Sequence, residues 1–220
     1  MVQTVIFDMD GLMLDTEKVA TRAWKQTFID LGYTLTDELS LAMIGINEPD
    51  ANAVIVKVMG ADFPVDLCRR QANACYAALL EKEGVPLKYG LLDLLDFLKQ
   101  RAIALAVATS TPRSLALHKL RLTGLDTRFS AIVTGDDVAR GKPEPDLFLT
   151  AARQVNASPD GCVVLEDSPA GIRAGHAAGM IPIMIPDMIP PDETMRRIAY
   201  AVVPSLWEAK KVISTLMEKS

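Results

Sequence analysis

The sequence predicts an α/β protein, with a parallel sheet covered by helices and a helical insertion after the first strand. The run from Thr4 to Phe7 is β-branched and aromatic, which is typical of a strand. Residues 16–85 then show only helical patterns, whereas short, continuously apolar runs alternate with helices later in the chain. Such runs indicate parallel strands that are buried on both faces. We therefore predict a Rossmann-like core domain of residues 1–15 and 86–220 and a small helical domain of residues 16–85.

The inserted segment begins with a helix that Asp15 or Thr16 can cap, because either side chain can accept hydrogen bonds from the amides of a first turn. Glycine and proline residues separate the helical patterns that follow. The predicted helices are Glu17 to Leu31, Asp37 to Met43, Asp50 to Met59 and Asp66 to Glu83.

In the later part of the core, leucines that recur on one face predict a helix ending near Arg101. Proline at a first turn favours a helix that runs from Pro112 to about Leu122. The other predicted helices are 146–155, 172–178 and 206–217, and the predicted strands are 104–108, 131–133, 162–165 and 181–185.

Composition excludes several classes of protein. The 220 residues are half hydrophobic and carry a net charge of −5, so the chain can bury a core and has no basic surface for nucleic acid or an anionic membrane. No apolar stretch reaches membrane-spanning length, and the first residues lead into a strand rather than a signal peptide. The three cysteines are too scattered for a disulfide framework or a zinc site. We expect a reduced, cytoplasmic protein.

Polar side chains occur at or just beyond the predicted strands. They are Asp8 and Asp10, Thr109 and Ser110, Lys142, and Glu166 and Asp167. Ligands of open α/β sheets bind beyond the carboxyl ends of the strands. Parallel strands would therefore bring these groups to one edge of the sheet.

The chemistry of these groups favours phosphate transfer. Carboxylates suit a hard cation, and Mg²⁺ prefers one or two carboxylates together with water and a substrate phosphate. A hydroxyl, an amide near a helix start and a lysine suit a phosphate dianion. One aspartate could then attack phosphorus while the other acts as acid and base. Singly, each group also fits a turn, a helix cap or a solvated loop charge, and only their joint occurrence favours the functional interpretation.

These residues resemble the motifs of a known family. Asp8-Met9-Asp10-Gly11, Thr109, Lys142 and Glu166-Asp167 resemble the four motifs of the haloacid dehalogenase-like phosphohydrolases. The insertion resembles the small helical cap of the β-phosphoglucomutase-like subgroup. The resemblance covers nearly the whole chain, and it is specific for the superfamily rather than for a substrate.

The resemblance implies a Mg²⁺-dependent phosphatase that hydrolyses a small phosphate monoester, such as a sugar phosphate, through an aspartyl-phosphate. Asp8 would be the nucleophile and a metal ligand. Asp10 would protonate the leaving group, then activate water, and its main-chain carbonyl would bind the metal. Asp167 would be a direct metal ligand, and Glu166 would help through the metal or its water shell.

The remaining motif residues are expected to bind the transferring phosphoryl group. The resemblance implies that Thr109 and the Ser110 amide hold it, with Lys142 bridging it and Asp8. The presence of Asp10 disfavours a dehalogenase, because a halide needs no general acid. We expect a small phosphorylated metabolite as the partner, no nucleic acid or membrane partner, and a monomer or weak homodimer.

Several other activities fit the sequence less well than hydrolysis does. β-Phosphoglucomutases use a cap histidine and a cap arginine at the positions that Ala20 and Glu48 occupy here, and a carboxylate cannot replace a guanidinium fork on phosphate. Phosphonate hydrolysis would need a Schiff-base lysine from the cap, and none of the cap lysines is a convincing match. A receiver-type phosphoacceptor has its acceptor aspartate on a later strand and lacks the insertion. An inactive binding member would not need every motif residue.

Substrate choice is expected to depend on the inserted domain, which in this family closes over the site. The candidate specificity residues are Glu17, Trp24, Asn47 and Glu48. Trp24 also fits the core face of its helix, and the polar candidates also fit a solvated surface.

Overall fold

The computed structural model describes residues 2–43 and 48–218. The chain divides into two units. One contains the residues up to Asp15 together with those from Pro86 onward, and the other contains Thr16–Val85. We refer to them as the sheet unit and the helical unit.

The sheet unit contains six parallel strands, which confirms the predicted fold class. The strands are β1 (Thr4–Phe7), β2 (Ala104–Ala108), β3 (Ala131–Val133), β4 (Cys162–Glu166), β5 (Ile181–Met184) and β6 (Ala201–Val202). Their order in the sheet is β3-β2-β1-β4-β5-β6. The strand order reverses direction beside β1, and ligands of such sheets bind at this switch point.

Ten α-helices are described, of which α1 (Glu17–Asp30), α2 (Asp37–Ala42), α3 (Glu48–Met59) and α4 (Val65–Glu83) belong to the helical unit. The helices of the sheet unit are α5 (Leu91–Gln100), α6 (Arg113–Leu122), α7 (Asp146–Gln154), α8 (Pro169–Ala177), α9 (Glu193–Ile198) and α10 (Leu206–Glu218). Most predicted elements agree with these bounds within one to three residues. Helix α9 and strand β6 were not predicted.

The core of the sheet unit forms because the central strands are apolar on both faces. All four residues of β1 are buried, and four of the five residues of β2 are buried. Leu147 and Phe148 of α7 pack in one cluster with Ile6 of β1 and Val164 of β4. This packing fixes the central strands rigidly and so fixes the positions of the residues that follow them.

The helical unit has its own apolar core. Helices α1 and α4 pack against each other, and Phe28, Ile55, Phe63 and Cys68 are buried in one cluster. The Thr36 side chain caps α2 by accepting a hydrogen bond from the Leu39 amide at 3.2 Å. No helix in the described part of the chain is long and apolar enough to cross a membrane.

The two chain segments that link the units are joined within the sheet unit. The Asp15 amide donates to the Pro86 carbonyl at 2.9 Å, and the Lys88 amide donates to the Met13 carbonyl at 2.9 Å. The Lys88 ammonium also lies 3.2 Å from Asp15 and 2.6 Å from Asp187. These contacts tie both segments to the loop after β5.

Candidate active site

Three neighbouring strands end beside one another and bring distant parts of the sequence together. Phe7 at the end of β1 pairs with Val107 of β2 and with Leu165 of β4. The Asp8 amide donates to the Leu165 carbonyl at 3.0 Å, so Asp8 continues directly from β1 beside Glu166, the last residue of β4. The parallel register therefore brings the predicted aspartate and glutamate to the same edge of the sheet.

Lys142 joins these strand ends, although it comes from the loop before α7. Its ammonium donates to Asp8 Oδ1 and, at 2.6 Å, to Glu166 Oε1. It also donates to the main-chain carbonyl of Ala108 at the end of β2, at 3.1 Å. The Lys142 side chain is only 6% exposed. One buried cation thus contacts the ends of all three strands.

The charges in this group depend strongly on one another. Burial alone would lower the pKa of Lys142, but the Asp8 and Glu166 carboxylates raise it above its usual value, so the ammonium stays charged. Burial raises the pKa of Asp8 to about 7 against the opposing effect of Lys142, and Glu166 and Asp10 add to the rise. The negative charge of this site therefore depends on nearby positive charge.

Asp8, Glu166 and Asp167 form a group that could hold a metal ion. One carboxylate oxygen from each lies within 4.8 Å of the others. Burial, together with Glu166 and Asp8, raises the pKa of Asp167 well above its usual value. A set of three oxygen donors fits a hard divalent cation, which would offset the repulsion among them.

Two glycines provide the space in which these carboxylates lie. A Cβ atom at Gly11, where φ is +83°, would lie 2.3 Å from Asp167 Oδ2. A Cβ atom at Gly171 in α8 would lie 1.8 Å from Glu166 Oε1. Both distances are far inside van der Waals contact, so any side chain at either position would displace a carboxylate.

Glu166 is held on its second oxygen by the start of α8. Its Oε2 accepts hydrogen bonds from the Ser168 amide at 2.8 Å and from the Ser168 hydroxyl at 2.9 Å. The same hydroxyl accepts from the Gly171 amide at 3.0 Å and so caps α8. Glu166 is 1% exposed, and its orientation is fixed from both sides.

The Asp10 carboxylate points to a different set of partners. Its Oδ2 accepts from the Thr111 hydroxyl at 2.7 Å, and its Oδ1 accepts from the Lys119 ammonium at 2.7 Å. Asp10 therefore belongs to the same loop as Asp8 but not to the carboxylate group described above. Lys119 was not among the predicted site residues, because its only signal in the sequence is a charged residue on the apolar face that Ala116 and Leu120 define on α6.

Thr109 and Ser110 follow β2, which lies beside β1. Thr109 is buried, its amide donates to the Val133 carbonyl at 3.0 Å, and its hydroxyl accepts from the Thr111 amide at 3.1 Å. Ser110 is exposed. Both residues are at the predicted end of the sheet, and their role in phosphate binding stays a prediction.

The candidate specificity residues belong to the helical unit, except that Asn47 lies outside the described residues. Glu17 begins α1. Trp24 and Glu48 share a partner that was not predicted. The Arg69 guanidinium lies 5.2 Å from the centre of the Trp24 ring, and its Nε lies 3.5 Å from Glu48 Oε1. Arg69 also donates to Asn52 Oδ1 at 2.8 Å through Nε.

Comparisons with known proteins identify the family that the chain resembles. A family model described as haloacid dehalogenase-like hydrolase matches residues 5–185. The phosphorylated carbohydrates phosphatase of Thermotoga maritima is 31% identical over 183 residues, which are 81% of this chain and 82% of that protein. The β-phosphoglucomutase of Bacillus subtilis is 31% identical over 188 residues, 83% of this chain and 82% of that protein.

A solved structure is similar over almost the full length. The crystal structure of CbbY from Rhodobacter sphaeroides in complex with phosphate has a TM-score of 0.81 and is 29% identical, covering 94% of this chain and 96% of that chain. The range that the family model matches includes the helical unit, three of the four residues of β1 and the whole of β2 to β5.

Proposed function

The chain belongs to the haloacid dehalogenase-like hydrolases, and on that premise we propose that it is a Mg²⁺-dependent phosphatase with Asp8 as its nucleophile. The observation that carries this proposal is the Lys142 ammonium, which contacts both Asp8 and Glu166 at the ends of adjacent strands. A buried cation beside a carboxylate allows that carboxylate to approach a phosphate dianion, because it offsets the repulsion between two anions.

The reaction divides into two steps. In the first, an Asp8 carboxylate oxygen forms a bond to phosphorus and the bond from phosphorus to the ester oxygen breaks. Asp10 gives its proton to that oxygen, which leaves as an alcohol. In the second, Asp10 takes a proton from water as the water oxygen bonds to phosphorus. The aspartyl-phosphate bond then breaks, releasing inorganic phosphate and free Asp8. Splitting one displacement into two in this way is nucleophilic catalysis with general acid–base help.

The residues present fit a divalent cation. Asp8, Glu166 and Asp167 would hold Mg²⁺. The family resemblance adds the Asp10 main-chain carbonyl as a fourth candidate ligand. When bound, Mg²⁺ offsets the negative charge of the phosphoryl group and of the carboxylates around it. We propose that Thr109 and the Ser110 amide bind the phosphoryl oxygens that Lys142 does not reach.

We further propose a sugar phosphate or a similar metabolite as the substrate. The proposal rests on the relative named a phosphorylated carbohydrates phosphatase. The helical unit is proposed to act as the cap domain that selects the leaving alcohol. Glu17, Trp24, Asn47 and Glu48 remain the candidates for that selection, and Arg69 joins them through its contacts with Trp24 and Glu48.

A phosphomutase is the second candidate, since a β-phosphoglucomutase is among the relatives. At the position that the family resemblance assigns to a cap arginine, this chain has Glu48, which is exposed and lies beside Arg69. A carboxylate repels a second phosphate group, whereas an arginine binds it through two parallel hydrogen bonds. This difference favours hydrolysis.

A substrate panel tests the proposed function. The purified protein with Mg²⁺ is incubated with hexose, pentose, nucleotide and glycolate phosphates, and inorganic phosphate release is measured. We expect multiple turnovers with at least one sugar phosphate and with p-nitrophenyl phosphate. Conversion of a hexose 1-phosphate to the 6-phosphate in the presence of the bisphosphate, without phosphate release, would identify a mutase instead. No turnover with any ester would contradict both activities.

Metal binding can be measured without turnover. We expect Mg²⁺ to raise the melting temperature of the chelator-treated protein, because a ligand that binds only the folded state stabilises it, by about 2.7 kcal/mol at a hundredfold excess over Kd. Asp167→Asn is expected to lose most of this shift. Asp93→Asn, which removes an exposed carboxylate of α5 in the same unit, is the matched control. An equal shift in Asp167→Asn and the control would contradict the assigned ligand.

A further inference from the structure

Lys119 is a buried lysine whose position the apolar packing of its helix does not explain. It is 3% exposed and shares one face of α6 with Ala116 and Leu120, both fully buried. An apolar side chain would complete that face without loss. A charged group is retained in such a place only where partners offset its desolvation. The Asp10 carboxylate, 2.7 Å away, is such a partner.

The contact fixes the orientation of Asp10. Lys119 binds Oδ1 and Thr111 binds Oδ2, and both come from the segment that follows β2. The carboxylate cannot rotate without losing one of these bonds. The Asp10 side chain is 19% exposed, so the carboxylate remains accessible from outside.

We propose that Lys119 is a positioning residue that holds the Asp10 carboxylate where it can exchange a proton with the leaving oxygen. This inference rests on the proposed function of Asp10 as acid and base. Proton transfer in a transition state depends steeply on geometry, and a displacement of about 1 Å can lower a rate by about a hundredfold. Lys119 itself has no contact with substrate in this role and acts only through Asp10.

The leaving group provides the test. Alkyl phosphates need a proton on the departing oxygen, whereas p-nitrophenolate leaves readily without one. We expect Lys119→Met to lower kcat/KM for a sugar phosphate by about 10- to 100-fold and to change the value for p-nitrophenyl phosphate by less than about threefold. Arg121→Met is the control, because it removes an exposed positive charge from the same helix. We expect it to behave like the unmodified protein with both esters.

A double-mutant cycle with Asp10→Asn separates positioning from general packing. If Lys119 acts through Asp10, adding Lys119→Met to Asp10→Asn will cause no further loss of kcat, because the group it positions is already absent. The double variant also removes both members of a buried ion pair, so neither charge is left alone. This comparison decides the question even if Lys119→Met alone unfolds.

Each of the following results would overturn the inference. Equal losses with both esters in Lys119→Met would show a structural role, and so would a further loss on adding Lys119→Met to Asp10→Asn. If Asp10→Asn itself slows both esters equally, the acid–base role fails, and with it the inference. If Asp10→Asn is selective and Lys119→Met is not, only the positioning role fails and the proposed function stands.

Discussion

Asp8→Asn is expected to abolish multiple turnover with every phosphate ester. An amide nitrogen or oxygen cannot form the acyl-phosphate that a carboxylate forms, so no partial activity remains through this route. The side chain keeps its size, and the Lys142 ammonium still donates to Glu166 Oε1 at 2.6 Å, so its buried charge keeps a partner. We therefore expect a folded protein without activity, measured by phosphate release together with thermal unfolding.

The matched control for Asp8→Asn is Asp93→Asn, which makes the same chemical change at an exposed position of α5. It is expected to retain full activity. Sustained phosphate release by freshly prepared Asp8→Asn, with mass spectrometry showing no deamidation to aspartate, would rule out Asp8 as the nucleophile.

Lys142→Met is expected to have the second largest effect. The change removes the cation that contacts Asp8, Glu166 and the Ala108 carbonyl, and it leaves two buried carboxylates facing each other. Losing one donor from such a charge-stabilising site lowers kcat by about 10²–10³. Breaking a buried ion pair from one side lowers the free energy of unfolding by about 3–5 kcal/mol. We expect both effects, in kcat and in denaturant unfolding.

Two further variants define what Lys142 contributes. Lys211→Met removes an exposed positive charge from α10 and is expected to change neither quantity. Lys142→Arg keeps the charge but replaces a compact ammonium with a larger, planar guanidinium. Compared with Lys142→Met, we expect it to restore stability more than activity. Unchanged activity in a folded Lys142→Met protein would remove the observation on which the proposed function rests.

Much of the sheet could be predicted because its strands are apolar throughout. In an alternating pattern of strands and helices, runs such as Ala104 to Ala108 and Cys162 to Leu165 indicate buried parallel strands. The parallel arrangement then places the residues that follow β1, β2 and β4 at one edge. For this reason Asp8 and Glu166 could be predicted to lie at one edge, whereas Lys142, from the loop before α7, was predicted from its place in the motif pattern.

Other features could not be predicted, for two physical reasons. Helix α9 and strand β6 have six and two residues, too few to show a period, and they are stabilised by packing that involves Met184, Met195 and Val202. Lys119 and Arg69 depend on contacts between residues far apart in the chain. The sequence around a charged helical residue does not indicate its partner, because the partner is set by which elements the fold brings together.

Gly11 and Gly171 have a consequence for how related sequences are interpreted. The carboxylates of Asp167 and Glu166 occupy volume that a methyl group at these two glycines would fill. A homologue could therefore keep every acidic and basic motif residue and still be unable to form this arrangement if it carried alanine at either place. The absence of a side chain at these two glycines is therefore as informative about the chemistry as the charged residues are. Motif searches that score only reactive side chains will overlook it.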